Sequence, residues 1–262
     1  QKRMFAKEYI NVLQQFPNNT TFVDLFGGSG LLSHIAKYQK PNATVVYNDF
    51  DGYQYRLEHI PQTNELLTRL RGVVSVPRHK PIQGKEREQV LTLIREHECL
   101  YGYVDYITLS SSLLFSMKYA TAYQEFEKET LYNNIKATNY PLCSDYFDGL
   151  TITSCDYNEV FNSYKDTPNV VFLVDPPYLS TDSSTYKMYW KLSDYLDVLT
   201  ILAGHHFIYF TSNKSSIVEL CEWVGKNKLI GNPFQNCHRR EFNAHMNYNS
   251  SYTDIMLYTN AI

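Results

Sequence analysis

The feature that most limits the fold is a strand, a glycine turn, a helix and a second strand packed into about 30 residues. Residues 21–26, Thr-Phe-Val-Asp-Leu-Phe, are β-branched and aromatic and run straight into Gly27-Gly-Ser-Gly30. A helical stretch over 31–39 follows, closed by Pro41, and a second strand over 43–47 ends in Asn48-Asp49. A β-turn-α-β unit of this kind is the element from which parallel sheets are built. The rhythm resumes late in the chain: strand 150–154, helix 157–164, strand 169–174, helix 193–203, strand 206–211, helix 214–226 and a final strand 253–258.

Ahead of the first strand, Phe5, Tyr9, Val12, Leu13 and Phe16 recur at helical spacing over 4–16 and stop at Pro17. Between the two α/β stretches the pattern changes. Helical periodicity appears at 86–98 and 120–135, with turn signals at Pro77 and Pro81 and no βαβ alternation. Residues 60–147 therefore read as an inserted subdomain, flanked by one domain made of 1–59 and 148–262. The segment 233–250, rich in Asn, His and Arg, reads as a polar hairpin arm before the last strand.

At 262 residues with 44% hydrophobic and 19% charged side chains, the chain has an ordinary globular composition, which excludes the disordered and low-complexity classes. Its 23 Tyr are in excess, available for packing or stacking. Five cysteines at 99, 143, 155, 221 and 237 show no C-x-x-C, so neither a disulfide framework nor a zinc ribbon is indicated and no metal is expected. A cytoplasmic setting is the default, and no apolar run approaches the roughly 18 to 20 residues that cross a bilayer. The first residue is Gln1 rather than Met, which suggests that something precedes it. The net charge of −3 excludes a globally basic surface, yet Arg69, Arg71, Arg78, Lys80, Lys85, Arg87 and Arg95 face only Glu86 and Glu88 over 69–95. That stretch could meet phosphates or simply be solvated.

Two constellations carry chemistry. The first is Asp24-Leu-Phe26-Gly27-Gly28-Ser29-Gly30, where glycine lets the backbone bend and approach a ligand; it lacks the third glycine of a dinucleotide fingerprint because position 33 is Ser. Asp49, about 20 residues on, stands where α/β nucleotide binders hold ribose hydroxyls, or is a solvated strand end. The second is Asp175-Pro176-Pro177-Tyr178, delivered by the apolar run 170–174 to the carboxyl end of a strand. Two prolines remove two N–H donors and leave carbonyl acceptors beside a carboxylate, with an aromatic face next to them. That set suits a planar ring bearing an exocyclic amine.

With both motifs in this order, the chain resembles the Dam-like class of S-adenosylmethionine-dependent DNA adenine methyltransferases, in the alpha arrangement that places a target-recognition insert between glycine loop and tetrapeptide. The resemblance implies a Rossmann-like methyltransferase fold: a mostly parallel sheet with helices on both faces, an antiparallel final strand and a mainly helical insert. It assigns Phe26, Gly27, Gly28 and Gly30 to the methionyl end of S-adenosylmethionine, Lys2 to a cofactor motif at the N-terminus, Asp49 to the ribose, and Asp156 with Tyr157 to the adenine, and it counts Asp24, Ser29 and Asp175 among the cofactor-binding residues. Asp175, Pro176, Pro177 and Tyr178 would receive a target adenine flipped out of double-stranded DNA. Ser212-Asn213 resembles a later motif near the active site, and Tyr186, Tyr189 and Trp190 are available to a flipped-base pocket or to packing.

DNA contacts are expected from Arg78, Lys80, Lys85 and Arg87 and from His238, Arg239 and Arg240. Rival readings are a methyltransferase of the same fold acting on RNA or on a protein amine or amide, a catalytically silent nucleic-acid-binding relative, and a nicotinamide oxidoreductase. His205-His206, Ser110-Ser-Ser112 and the cysteines read as packing, a loop or cap, and buried thiols.

Overall fold

The computed structural model describes residues 5–116, 118–177, 191–213, 215–226, 232–247 and 250–260. The chain divides into two compact units, Gln1–Tyr53 with Tyr146–Ile262, and Gln54–Asp145, where the sequence places the joins near 60 and 147.

The first unit opens with α1 (Ala6–Leu13), which turns Tyr9, Val12 and Leu13 inward. Then come β1 (Thr21–Asp24), α2 (Leu31–Gln39) and β2 (Thr44–Asn48). The second unit contributes α3 (Tyr53–Glu58), α4 (Ile60–Val73), β3 (Pro81–Ile82), α5 (Gly84–Tyr101), α6 (Tyr106–Leu113), α7 (Tyr123–Lys128) and β4 (Leu131–Tyr132). The first unit resumes with β5 (Thr151–Thr153), α8 (Tyr157–Tyr164), β6 (Val170–Val174), α9 (Leu192–Leu202), β7 (His206–Ser212), α10 (Ile217–Lys226), β8 (His238–Asn247) and β9 (Ser250–Tyr258).

Seven strands form one sheet in the order β5-β2-β1-β6-β7-β9-β8. The five from β5 to β7 are parallel, β9 runs antiparallel to β7, and β8 pairs back onto β9 as a long hairpin. Side chains alternate between the faces, as strand geometry requires. Phe22, Val45, Val171, Leu173, Ile208 and Met256 pack with α1 and α2, while Val23, Val46, Phe172, Val174, Tyr209 and Ile255 pack with α8, α9 and α10. Because both faces are covered, β1 and β6 are buried along their whole length, and β6 reads in sequence as a continuous apolar run. This is the Rossmann-like sheet the sequence predicts, closed by antiparallel strands.

The second unit buries Leu66, Leu70, Val90, Ile94, Leu109, Phe126 and Leu131 in a core of its own. Here the sequence is less informative. The helix expected over 120–135 is only the six residues of α7, because Leu131 leaves the helix to pair with Ile82 across the small β3–β4 ladder. Helices α4 and α6 were not anticipated. Ser110-Ser-Ser112 lies inside α6 rather than in a loop or cap; each hydroxyl donates to the carbonyl four residues back, which keeps it bonded within the helix.

Candidate active site

In open α/β sheets ligands bind outside the carboxyl ends of the strands, where the chain connections diverge. In this sheet β1 leads outward to β2 and β5, and its other neighbour β6 leads the opposite way to β7. The strand ends at that divergence are Asp24 and Asp175, the two acids that the motifs single out.

Asp24 is fully buried. Its Oδ2 accepts a 2.7 Å hydrogen bond from the Ser33 hydroxyl on α2, while Oδ1 is buried without a partner among the described residues. Burial pushes this carboxyl up to about 7, the negative Asp175 adds to the rise, and the Ser33 hydroxyl and the Phe26 N–H work against it. An acceptor buried without its hydrogen bond costs about 1–3 kcal/mol, so Asp24 Oδ1 is a place that a donor would fill.

The glycines of the turn have separate duties. A Cβ on Gly27 would stand 2.2 Å from the Tyr47 ring, so this glycine is fixed by packing. A Cβ on Gly28, at φ +50, would meet among the described residues only the Phe26 carbonyl, at 3.8 Å. Gly30, at φ +71, is the N-cap of α2 and abuts Phe147, whose ring stacks on Tyr47 at 4.8 Å. Gly30 brings no side chain to cap α2, so the helix's first amides keep their hydrogen-bonding capacity and partial positive charge. Uncapped amides beside a half-met carboxylate suit a ligand with both an anionic and a cationic group, such as an amino-acid head.

Asp49 ends β2. Its Oδ1 accepts from the Tyr53 N–H at 2.6 Å and lies 2.9 Å from the Tyr47 hydroxyl, whose one proton also has the Gly28 carbonyl within 2.8 Å. Burial, reinforced by Asp49, holds the Tyr47 phenol far above its ordinary range, so it stays a neutral donor. Asn48 donates to the Leu25 and Cys155 carbonyls and accepts from the Cys155 N–H, stitching the ends of β1, β2 and β5 together. The sequence assigns no role to Asn48, Tyr47, Ser33 or Phe147; Asn48 and Tyr47 adjoin Asp49, Ser33 stands in place of a third glycine, and Phe147 carries no signal.

Tyr157 is buried and lies 5.1 Å from the Phe26 ring, bringing together two residues assigned to the same ligand. Asp156 caps α8, accepting from the Asn158 N–H at 2.9 Å. After β6, Asp175 is half-buried and Pro176 and Pro177 are buried. Lys2, Tyr178, Tyr186, Tyr189 and Trp190 lie outside the described residues. The Asn213 side chain accepts from the Thr253 N–H at 2.9 Å, which ties the end of β7 to β9.

The basic residues separate into two kinds. Arg239 pairs with Glu241 at 2.7 Å and Glu222 at 3.5 Å, Arg240 pairs with Glu8 at 2.8 Å, and His238 stacks on Tyr258. In the second unit, Arg87 donates to the Glu127 carbonyl, whereas Arg78, Lys80 and Lys85 are exposed and make no ion pair among the described residues. Arg78 borders an open cavity of about 390 Å³ with His79, Ser111, Phe115, Lys118 and Tyr119. Phe115 is 61% and Tyr119 45% exposed, so the groove offers aromatic faces as well as positive charge.

His205 packs against Phe161 and Phe172. Cys221 is buried, and burial pushes its thiol and that of Cys237 up to about 11; Cys99 is exposed, contrary to the expectation of buried thiols, because its position on α5 faces outward. Among the described residues no cluster of His, Cys, Asp or Glu could hold a metal, and no helix is long and apolar enough to cross a membrane.

Residues 2–198 match the family of D12 class N6 adenine-specific DNA methyltransferases. The chain belongs to that family. A Haemophilus influenzae protein, whose name places it no more finely than among methyltransferases, is 34% identical over 98% of this chain and 89% of its own length. The crystal structure of an M. jannaschii tRNA m1G37 methyltransferase is 10% identical; the match covers 99% of this chain and 50% of that one, at a TM-score of 0.36. The chain is thus a methyltransferase.

Proposed function

We propose that this methyltransferase transfers a methyl group from S-adenosylmethionine to the exocyclic N6 amine of adenine in double-stranded DNA. The observation that carries the reading is the pairing of two strand ends: the glycine turn after β1, with its open carboxylate oxygen and uncapped helix amides, and Asp175-Pro176-Pro177 after the adjacent β6. S-adenosylmethionine supplies a methyl already activated on a sulfonium, so no metal and no covalent enzyme intermediate is required. Its methionyl end would be held by Asp24, Gly28 and the amides of α2, its ribose by Asp49, and its adenine beside Phe26 and Tyr157.

The work left to this chain is alignment and the tuning of one nitrogen. Asp175 and the Pro176 carbonyl accept the two amine hydrogens, drawing the nitrogen lone pair out of conjugation, and Tyr178 stacks on the ring. The base leaves the duplex to reach them, at an unstacking cost of a few kcal/mol. Phosphate contacts come first from Arg78, Lys80 and Lys85 of the second unit, which make no ion pair among the described residues. Incubation with tritiated S-adenosylmethionine and unmethylated DNA, followed by nucleoside analysis, tests the proposal. Label in N6-methyladenine is the expected result; label confined to added RNA or protein would overturn the DNA reading.

A further inference from the structure

Ser33 stands where a dinucleotide-binding turn would carry its third glycine, and it is fully buried on the first turn of α2. Its hydroxyl donates to Asp24 Oδ2 at 2.7 Å, and the carboxylate's other oxygen, though buried, has no partner among the described residues. Buried polar atoms are nearly always bonded, so a carboxylate with one oxygen tied by a neighbour and the other left open is built as an acceptor. Among the described residues, the groups acting on Asp24 are Ser33 on α2, Asp175 after β6, the Phe26 N–H in the turn, Tyr9 on α1 and Tyr47 on β2. Burial keeps both phenols neutral, so each of these groups is neutral or negative.

We infer that Ser33 is a positioning residue of the cofactor site, fixing the Asp24 carboxylate so that its open oxygen receives the ammonium of the cofactor's amino-acid end. The inference rests on the proposed reading of the glycine turn as the S-adenosylmethionine site. It carries a consequence for pH. In the ligand-free protein Asp24 titrates at about 7, and an ammonium binds its ionised form, so affinity rises as pH climbs through that range. Affinity falls again when the ligand's own amine loses its proton at about 8. The Ser33 hydroxyl lowers the Asp24 value, so its removal moves the rising limb to higher pH and leaves the falling limb in place.

The test is calorimetry of S-adenosylmethionine binding from pH 5 to 9, without DNA, on the wild-type chain, Ser33→Ala, Ser33→Thr and Asp24→Asn, alongside carbon NMR titration of the aspartate carboxyls in the ligand-free proteins. For Ser33→Ala the expected result is a peak affinity about tenfold lower, equivalent to about 1.4 kcal/mol, with the rising limb and the Asp24 carboxyl inflection both displaced upward. Ser33→Thr, which keeps the hydroxyl, restores both. Asp24→Asn removes the rising limb. An affinity lowered equally at every pH in Ser33→Ala, with an unmoved carboxyl inflection, would overturn the inference and leave the cofactor site standing. Absence of binding by the folded wild-type chain would instead remove the cofactor reading, and the inference with it.

Discussion

Glu8 and Asp24 are two carboxylates of one unit with opposite fates. Glu8, on α1, accepts from Arg240 at 2.8 Å across from the outer strand β8, and that guanidinium holds its carboxyl below the usual range. Arg239, next along β8, is likewise matched to Glu241 and Glu222. Asp24 is buried, half-bonded and beside a second acid, and its carboxyl is pushed up to about 7. Charges matched inside the chain need nothing from outside. A buried carboxylate left half met is a standing cost to the fold, which is why the proposed cofactor site lies at the strand ends of β1 and β6 and not at the outer hairpin.

The largest expected effect is on the chemistry alone. Asp175→Ala should lower methyl transfer by on the order of 10³-fold, the scale of losing a preorganised electrostatic contact at the reacting group. Its thermal midpoint should move by only about 2–4 °C. Tritium transfer and thermal denaturation on the same preparation check this, and a variant that keeps a tenth of its activity would break the contrast between the two edges. Next comes Gly27→Ala, whose new Cβ would meet the Tyr47 ring at 2.2 Å and the Asn48 carbonyl at 2.7 Å. Urea unfolding should show a loss of about 2–3 kcal/mol, against about 1 kcal/mol for Gly28→Ala, where only the left-handed backbone is strained.

A smaller effect follows from Asp24 without any ligand. Its folded value of about 7 lies above the ordinary 3.8, so between those limits the folded chain keeps a proton that the unfolded chain has released. Stability of the ligand-free protein should therefore be highest at the acid end of this window and decline as pH rises through 7. Asp24→Asn should flatten that slope in denaturation curves taken from pH 5 to 8. Glu8 has the opposite sign, its contribution fading as pH falls, but it is partly exposed and its share is small.

How much of this was legible depends on how far apart in sequence the partners lie. The parallel core was readable because burial on both faces makes 170–174 a pure apolar run and because glycines mark the turn after β1. That Asp24, Asp49 and Asp175 stand at the carboxyl ends of strands was readable because each directly ends or follows a β-branched or apolar run. What could not be read is what holds them: the Asn48 side chain reaches Cys155, 107 positions away, and Phe147 meets Tyr47 across the whole insert. Within the insert, Tyr123, Phe126 and Leu131 sit at spacings a helix could share with a turn and a strand, and tertiary pairing of Leu131 with Ile82 decided it.

The same matching rule separates the two basic stretches that the sequence offered for DNA. Each phosphate neutralised contributes about 0.9 to the slope of log affinity against log salt. Replacing Arg78, Lys80 and Lys85 by Ala should therefore lower that slope by about two to three, because these exposed side chains make no ion pair among the described residues. Replacing Arg239 and Arg240 should change it by less than about one, since both guanidinium groups already serve carboxylates of the chain. The double variant should also cost less than about 1 kcal/mol of stability, as exposed pairs do. Equal slopes for the two variants would mean that the hairpin arginines leave their partners when DNA arrives, and internal pairing would then cease to distinguish charges that hold the fold from charges that hold the substrate.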